Sequence, residues 1–175
     1  MTTEPEVGRE WVAGAADALR RALDGEDTAP GDGLQALLVG LLRSNLAQWR
    51  LEDESRRPDA TDADIGRTKR DIDGLNGRRH QLVEQIDAAI ADAIEQRATA
   101  PPATESPAMA FDRLSVLIIR IHETEGLCDP DRDARLARLG VQVATLEEAL
   151  GGLLDEVRAG TRRFVPYRGL KLYRG

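Results

Sequence analysis

Leu34-Gln-Ala-Leu-Leu-Val-Gly-Leu-Leu-Arg-Ser-Asn45-Leu-Ala-Gln-Trp-Arg-Leu-Glu-Asp-Glu-Ser-Arg56 is the stretch on which the fold turns. Leu34, Leu38 and Leu41 recur at fours and threes, which puts them on one helical face. The same face continues through Asn45, Trp49, Glu52 and Arg56. A core-facing stripe ordinarily stays apolar. Here it changes to amide, indole, carboxylate and guanidinium. Polar groups in such a place must pair with each other or with a ligand. The stretch therefore predicts a helix and a polar locus along it.

The surrounding chain reads in the same way. Its 175 residues are 41% apolar but only 3% aromatic, so Ala and Leu must supply the core. That favours helix nearly throughout and predicts an all-α fold. A first helix is expected from about Glu6 to Leu23, and Leu34–Arg56 is the second. After Pro58, Asp59-Ala-Thr-Asp-Ala-Asp64 holds an N-cap signal for a third, running to about Ala98 with Ile65, Ile72, Val83, Ile86 and Ile90 on its seam. Thr99–Pro107 is a Pro/Ala/Ser/Thr linker, either flexible or draped over the bundle. The fourth helix, Ala108–Glu125, is apolar round most of its circumference, which marks it as central. The fifth, Arg132–Ala159, carries Leu136, Leu139, Val143, Leu146, Leu150, Leu153 and Val157 as a heptad seam for a hairpin or a homodimer. The architecture expected is a single domain: an N-terminal helix and loop over 1–33, a core of four long helices over 34–160, and a basic aromatic tail over 161–175.

Charge and cysteine usage narrow the function. A net charge of −7 argues against general nucleic-acid binding. No segment has the apolar length of a membrane span, and the acidic N-terminus has no signal-peptide run. The lone Cys128 excludes an internal disulfide framework and a Cys-based metal site, so a reducing cytoplasm is the expected setting. After Glu156 the chain has six basic residues and no acid, a local reversal of its overall sign.

The third helix repeats the anomaly of the second. Arg79 lies within the Ile72/Val83/Ile86 stripe, with Asn76 beside it, Lys69 and Asp87 on its rim, and Asp73 and His80 further round. An antiparallel hairpin through Pro58 would bring Glu52 and Arg56 toward Lys69, Asp73 and Asn76, and Asn45 toward Arg79 and His80. Two readings follow. One is an ion-pair network that fixes helix register. The other is a pocket for a small polar metabolite, in which Glu52, Lys69 and Asp73 move protons and Asn45, Trp49, Arg56, Asn76, Arg79, His80, Asp112 and Arg113 bind. Mid-helix Gly74 and Gly77 would permit close approach or leave room for a ligand. His80 and Glu84 have helical i,i+4 spacing without a metal motif around them, so no metal is expected. No phosphate loop, nucleophile elbow or dinucleotide fingerprint is present, so no cofactor is expected. His122, on the apolar face of the fourth helix, reads as a core histidine.

Asn45…Trp49-x-x-Glu52-Asp53…Arg56, followed by Lys69-Arg70-x-Ile72-Asp73-x-x-Asn76-x-x-Arg79…Glu84-x-Ile86-Asp87, resembles the bacterial family catalogued as domain of unknown function 4254. Thr104-Glu-Ser-Pro107…Asp112-Arg-Leu-Ser115 and the tail Tyr167-Arg-Gly-Leu-Lys-Leu-Tyr173 extend the likeness over about residues 34–174. Ile121-His122-Glu123 departs from it where an aromatic–His pair is expected. The resemblance implies a helical protein associated with surface-polysaccharide and glycosyltransferase genes or secondary-metabolic biosynthesis, and names no activity. Two functions therefore compete: an enzyme of metal-free acid/base chemistry on a small polar metabolite, and a non-catalytic partner of a biosynthetic enzyme with the tail as its docking segment.

Overall fold

The structure, a computed structural model, describes residues 7–26 and 33–169. Five helices follow in order: α1 (Arg9–Leu23), α2 (Leu34–Ser55), α3 (Asp62–Ala93), α4 (Pro107–Glu125) and α5 (Arg132–Arg158). Among the described residues there is no strand, only a parallel bridge between Pro102 and Arg163. The expected start of the first helix at Glu6 lies outside the described residues, as does the end of the tail from Leu170 onward.

Local chemistry fixes the helix ends. Thr61 accepts a hydrogen bond from Asp64 N at 3.2 Å, and Asp64 accepts one from Thr61 N at 3.2 Å, a reciprocal cap for α3. Ser106 caps α4 with Pro107 in its first turn, where a missing N–H costs nothing. α3 stops at Ala93, short of the expected Ala98. Ile94 takes an extended conformation (φ −128°, ψ 118°) and is buried, so the chain turns away to place that side chain in the core.

α2 packs along α3 and α4 along α5, while α1 lies against α5, α2 and α4. α4 alone meets all four other helices, in keeping with its apolar circumference. Phe111, Leu114 and Ile119 are fully buried with Leu38, Leu41 and Leu42 of α2, Ile86 and Ile90 of α3, and Leu150 and Leu154 of α5. Trp11 meets Phe111 edge-on, with ring centroids 5.4 Å apart. The fifth-helix seam packs within the chain, through Val143, Leu150 and Val157, with Leu146 and Leu153 against them. α1 and α5 approach closely at Gly151, where a Cβ would lie 3.1 Å from the Arg9 backbone. At Gly74, by contrast, a Cβ would meet nothing within 4 Å, so that glycine does not serve close helix packing.

The linker and the tail are one feature. Arg163 N donates to Pro101 O at 3.1 Å, and Ala103 N donates to Arg163 O at 2.7 Å. The linker is thus draped over the bundle and stitched to the tail. Beyond this point the tail runs antiparallel to α3. Phe164 N donates to Gln96 Oε1 at 2.8 Å, Tyr167 N to Asp87 Oδ2 at 2.8 Å, and Gly169 N to Glu84 Oε1 at 2.5 Å. α3 and α5 do not meet each other among the described residues. They flank α4, and a groove runs between them over its outer face.

Candidate functional site

The site is built around Asp112, one turn into α4 and 2% exposed. Asp112 Oδ1 accepts hydrogen bonds from Asn45 Nδ2 of α2 at 2.9 Å and from Arg79 Nε of α3 at 2.8 Å. Its Oδ2 accepts a second bond from Arg79, through Nη2. Asn45 Nδ2 also donates to Ser115 Oγ at 2.7 Å, and that hydroxyl donates to Asp112 O at 2.8 Å. Three helices are thereby joined through one carboxylate. Hydrogen bonding to Asp112 holds the Arg79 guanidinium above its ordinary value, burial opposes that rise, and the charges of Asp112 and Tyr167 add to it.

Both N–H groups of the Asn45 amide and both Asp112 oxygens are used, so this carboxylate is committed as an anchor. Arg79 is not exhausted. Two of its five N–H groups meet Asp112, and its side chain is 33% exposed. It therefore presents a fixed, partly open cationic edge.

That edge meets a groove of about 620 Å³ over α4. Val116, Leu117, Val141 and Leu146 supply its apolar lining, and Arg113 and Arg120 join Arg79 as its cations. Arg113 pairs with Glu105 at 2.7 Å. Arg120 is exposed and has no ion-pair partner among the described residues. Val141 is 66% exposed, an unusual position for a β-branched apolar side chain on a helix.

Only part of the expected constellation comes together. Asn45, Arg79 and Asp112 are in direct contact, and Arg113 lies beside them. Glu52 instead interacts within its own helix, accepting from Gln48 Nε2 at 3.3 Å and lying 3.7 Å from Arg56, with its side chain 43% exposed. Arg56 is exposed and reaches Asp53 at 3.3 Å. Lys69 and Asp73 are exposed, and neither has a side-chain hydrogen bond among the described residues. Asn76 is half-buried, and half-buried Trp49 packs against the core. The α2–α3 hairpin forms, but near its turn Arg56, Lys69 and Asp73 are exposed and Glu52 is only half-buried. The expected burial of Glu52, Lys69 and Asp73 in one cluster is therefore corrected.

Three further residues differ from their expected surroundings. His80 Nδ1 is 2.8 Å from the Tyr167 hydroxyl, so His80 and Glu84 both face the tail. Among the described residues, no three His, Cys, Asp or Glu side chains are placed to share a metal ion. His122 is not a core histidine: it is partly exposed and 3.8 Å from Asp24. Ser115 was missed, and its signal was available, since it sits one turn after Asp112. The sequence places Asp87 on the rim of the α3 stripe, yet it is 0% exposed and accepts from Ala108 N at 2.9 Å as well as from Tyr167 N.

The family model described as Protein of unknown function (DUF4254) matches residues 35–165. The chain belongs to that family. Asn45, Arg79, Asp112 and Ser115 all fall within the matched span, as does the whole groove lining. No curated protein and no solved structure matches the chain. No helix among the described residues is long and apolar enough to cross a membrane.

Proposed function

We propose that this chain is a binding protein for a small metabolite that combines an anionic group with an apolar body, held in the groove over α4. The observation that carries the reading is the Arg79 guanidinium. It is locked by a buried carboxylate on one edge and open to an apolar-walled groove on the other. A pre-positioned guanidinium recognises carboxylate or phosphate at low entropic cost. Arg113 and Arg120 add positive charge, although the chain as a whole is acidic.

Acid/base catalysis at Glu52, Lys69 and Asp73 has less support, because these residues are solvent-facing and Glu52 is held by its own helix. Asp112 is an anchor, not a base, because its oxygens are occupied. The partner-protein reading draws on one observation, the exposed Val141 on the groove wall.

Anilinonaphthalene sulfonate, an amphipathic anion, tests the proposal by fluorescence titration. It should bind at one site. Arg120→Glu replaces an attraction of about 1 kcal/mol by a comparable repulsion, so affinity should fall about tenfold or more. Arg43→Glu, the same charge change on an exposed face of α2, should leave affinity unchanged. Equal weakening by both would reduce the effect to overall charge and contradict the proposed site.

A further inference from the structure

Past Arg113 the groove does not end. A second depression of about 310 Å³ lies further along α4 and α5, walled by Ala110, Leu150 and Leu153 and closed by linker residues Pro102 to Glu105. Both depressions are lined by Arg113, Leu146 and Ala149, so they are two parts of one trough. On α5 the trough runs from Val141 to Leu153. At 1.5 Å rise per residue that is about 18 Å. The cations are unevenly placed along it. Arg79 and Arg120 line only the first part, and Arg120 has no ion-pair partner among the described residues. The second part has an apolar floor, and its cations are already paired, Arg162 with Glu156 at 3.1 Å and Arg113, at the junction, with Glu105 at 2.7 Å.

We propose that the ligand is an unbranched amphiphile. Its anionic head, a carboxylate or phosphate, sits by Arg79 and Arg120, and its alkyl chain extends past Arg113 toward Leu150 and Leu153. This rests on the groove reading above and adds the shape of the ligand to it. A compact anion would leave the second depression unused. A chain laid lengthwise removes apolar surface from water on both sides of the junction.

The ligand is a free amphiphile rather than a bilayer headgroup. The trough runs along the helices, so a lipid must leave its membrane to fill it. An anionic bilayer is also repelled by a chain of net charge −7.

The test is isothermal titration with monomeric butyl, hexyl, octyl and decyl phosphate, with decanoate as the carboxylate arm and decyltrimethylammonium as the opposite charge. Each buried methylene should tighten binding about fourfold, and the cation should not bind. Ala149→Trp fills the junction from an exposed helical position. It should abolish the gain from longer chains, so that decyl phosphate binds the variant no tighter than butyl phosphate does. Equal affinities across the series would overturn the elongated ligand while leaving an anion site in place. Failure of every anion to bind would overturn both. Co-sedimentation with phosphatidylglycerol vesicles, without binding of monomeric decyl phosphate, would overturn the free-amphiphile assignment.

Discussion

Asp112 is the residue on which most else depends. It is buried, ionic and shared by helices that are distant in sequence. Asp112→Ala leaves the Arg79 guanidinium without its partner in a half-buried place, and such losses cost about 3–5 kcal/mol. Glu52→Ala removes only a partly exposed intrahelical pair and should cost less than about 0.5 kcal/mol. Chemical denaturation of the two variants checks this; similar midpoints would contradict the assignment of Asp112 as the anchor. Thr61 offers a finer test. Hydrogen bonds from Thr61, and then Arg67, hold the exposed Asp64 carboxyl below its ordinary value. A carboxyl lowered in this way contributes stability above its ordinary pKa and loses it as pH falls through the folded value. Thr61→Ala should raise the Asp64 pKa toward that ordinary value in a carbon-detected NMR titration. An unmoved titration would remove Thr61 as the cause.

At the scale of elements, the clearest surprise is how the tail is used. A basic, aromatic segment reads as a docking arm, yet residues 163–169 lie along α3. Phe164 is buried, and Asp87 accepts from the backbones of the tail and of α4 at once. The partners concerned, Gln96, Asp87, Glu84 and His80, are spread along one side of α3 and the turn after it. Such a stripe reads as ordinary solvated polarity until something covers it. Phe164→Ala should therefore cost about 3–5 kcal/mol, a core value rather than a tail value, and a thermal melt would show it. A shift within error would mean that the strap is not part of the folded unit. Gly74 should behave in the opposite sense. Open space surrounds its missing side chain, so Gly74→Ala should stabilise α3 by about 1 kcal/mol. A destabilisation would reveal a backbone role there.

For the whole molecule, periodicity made the helices legible, and the all-α bundle follows from it directly. The same patterning marked Asn45 and Arg79 as polar groups inside apolar stripes, which is where they lie. It could not assign their partners. Asn45 and Arg79 converge on Asp112 because α4 packs against both α2 and α3, a tertiary fact with no local signature. Glu52 shares the α2 stripe in projection, and Lys69 and Asp73 lie at or beyond the rim of the α3 stripe, but the α2–α3 hairpin exposes polar residues at that end. For Glu52, position along the helix therefore decided its exposure, and the helical face did not. The groove was invisible for a related reason: it exists because α3 and α5 flank α4 without touching. Its apolar walls look like core residues when the sequence is read one helix at a time.

In the proposed function, Arg79 offers its open edge to an anion in that groove. The direct measurement is a heteronuclear NMR titration that follows arginine Nε–H and backbone amide signals as octyl phosphate is added. Binding should move the Arg79 Nε–H resonance together with the amides of Val116, Leu117 and Val141, and leave Glu52, Lys69 and Asp73 in place. Shifts confined to the α2–α3 end, or no saturable shift at Arg79, would contradict it.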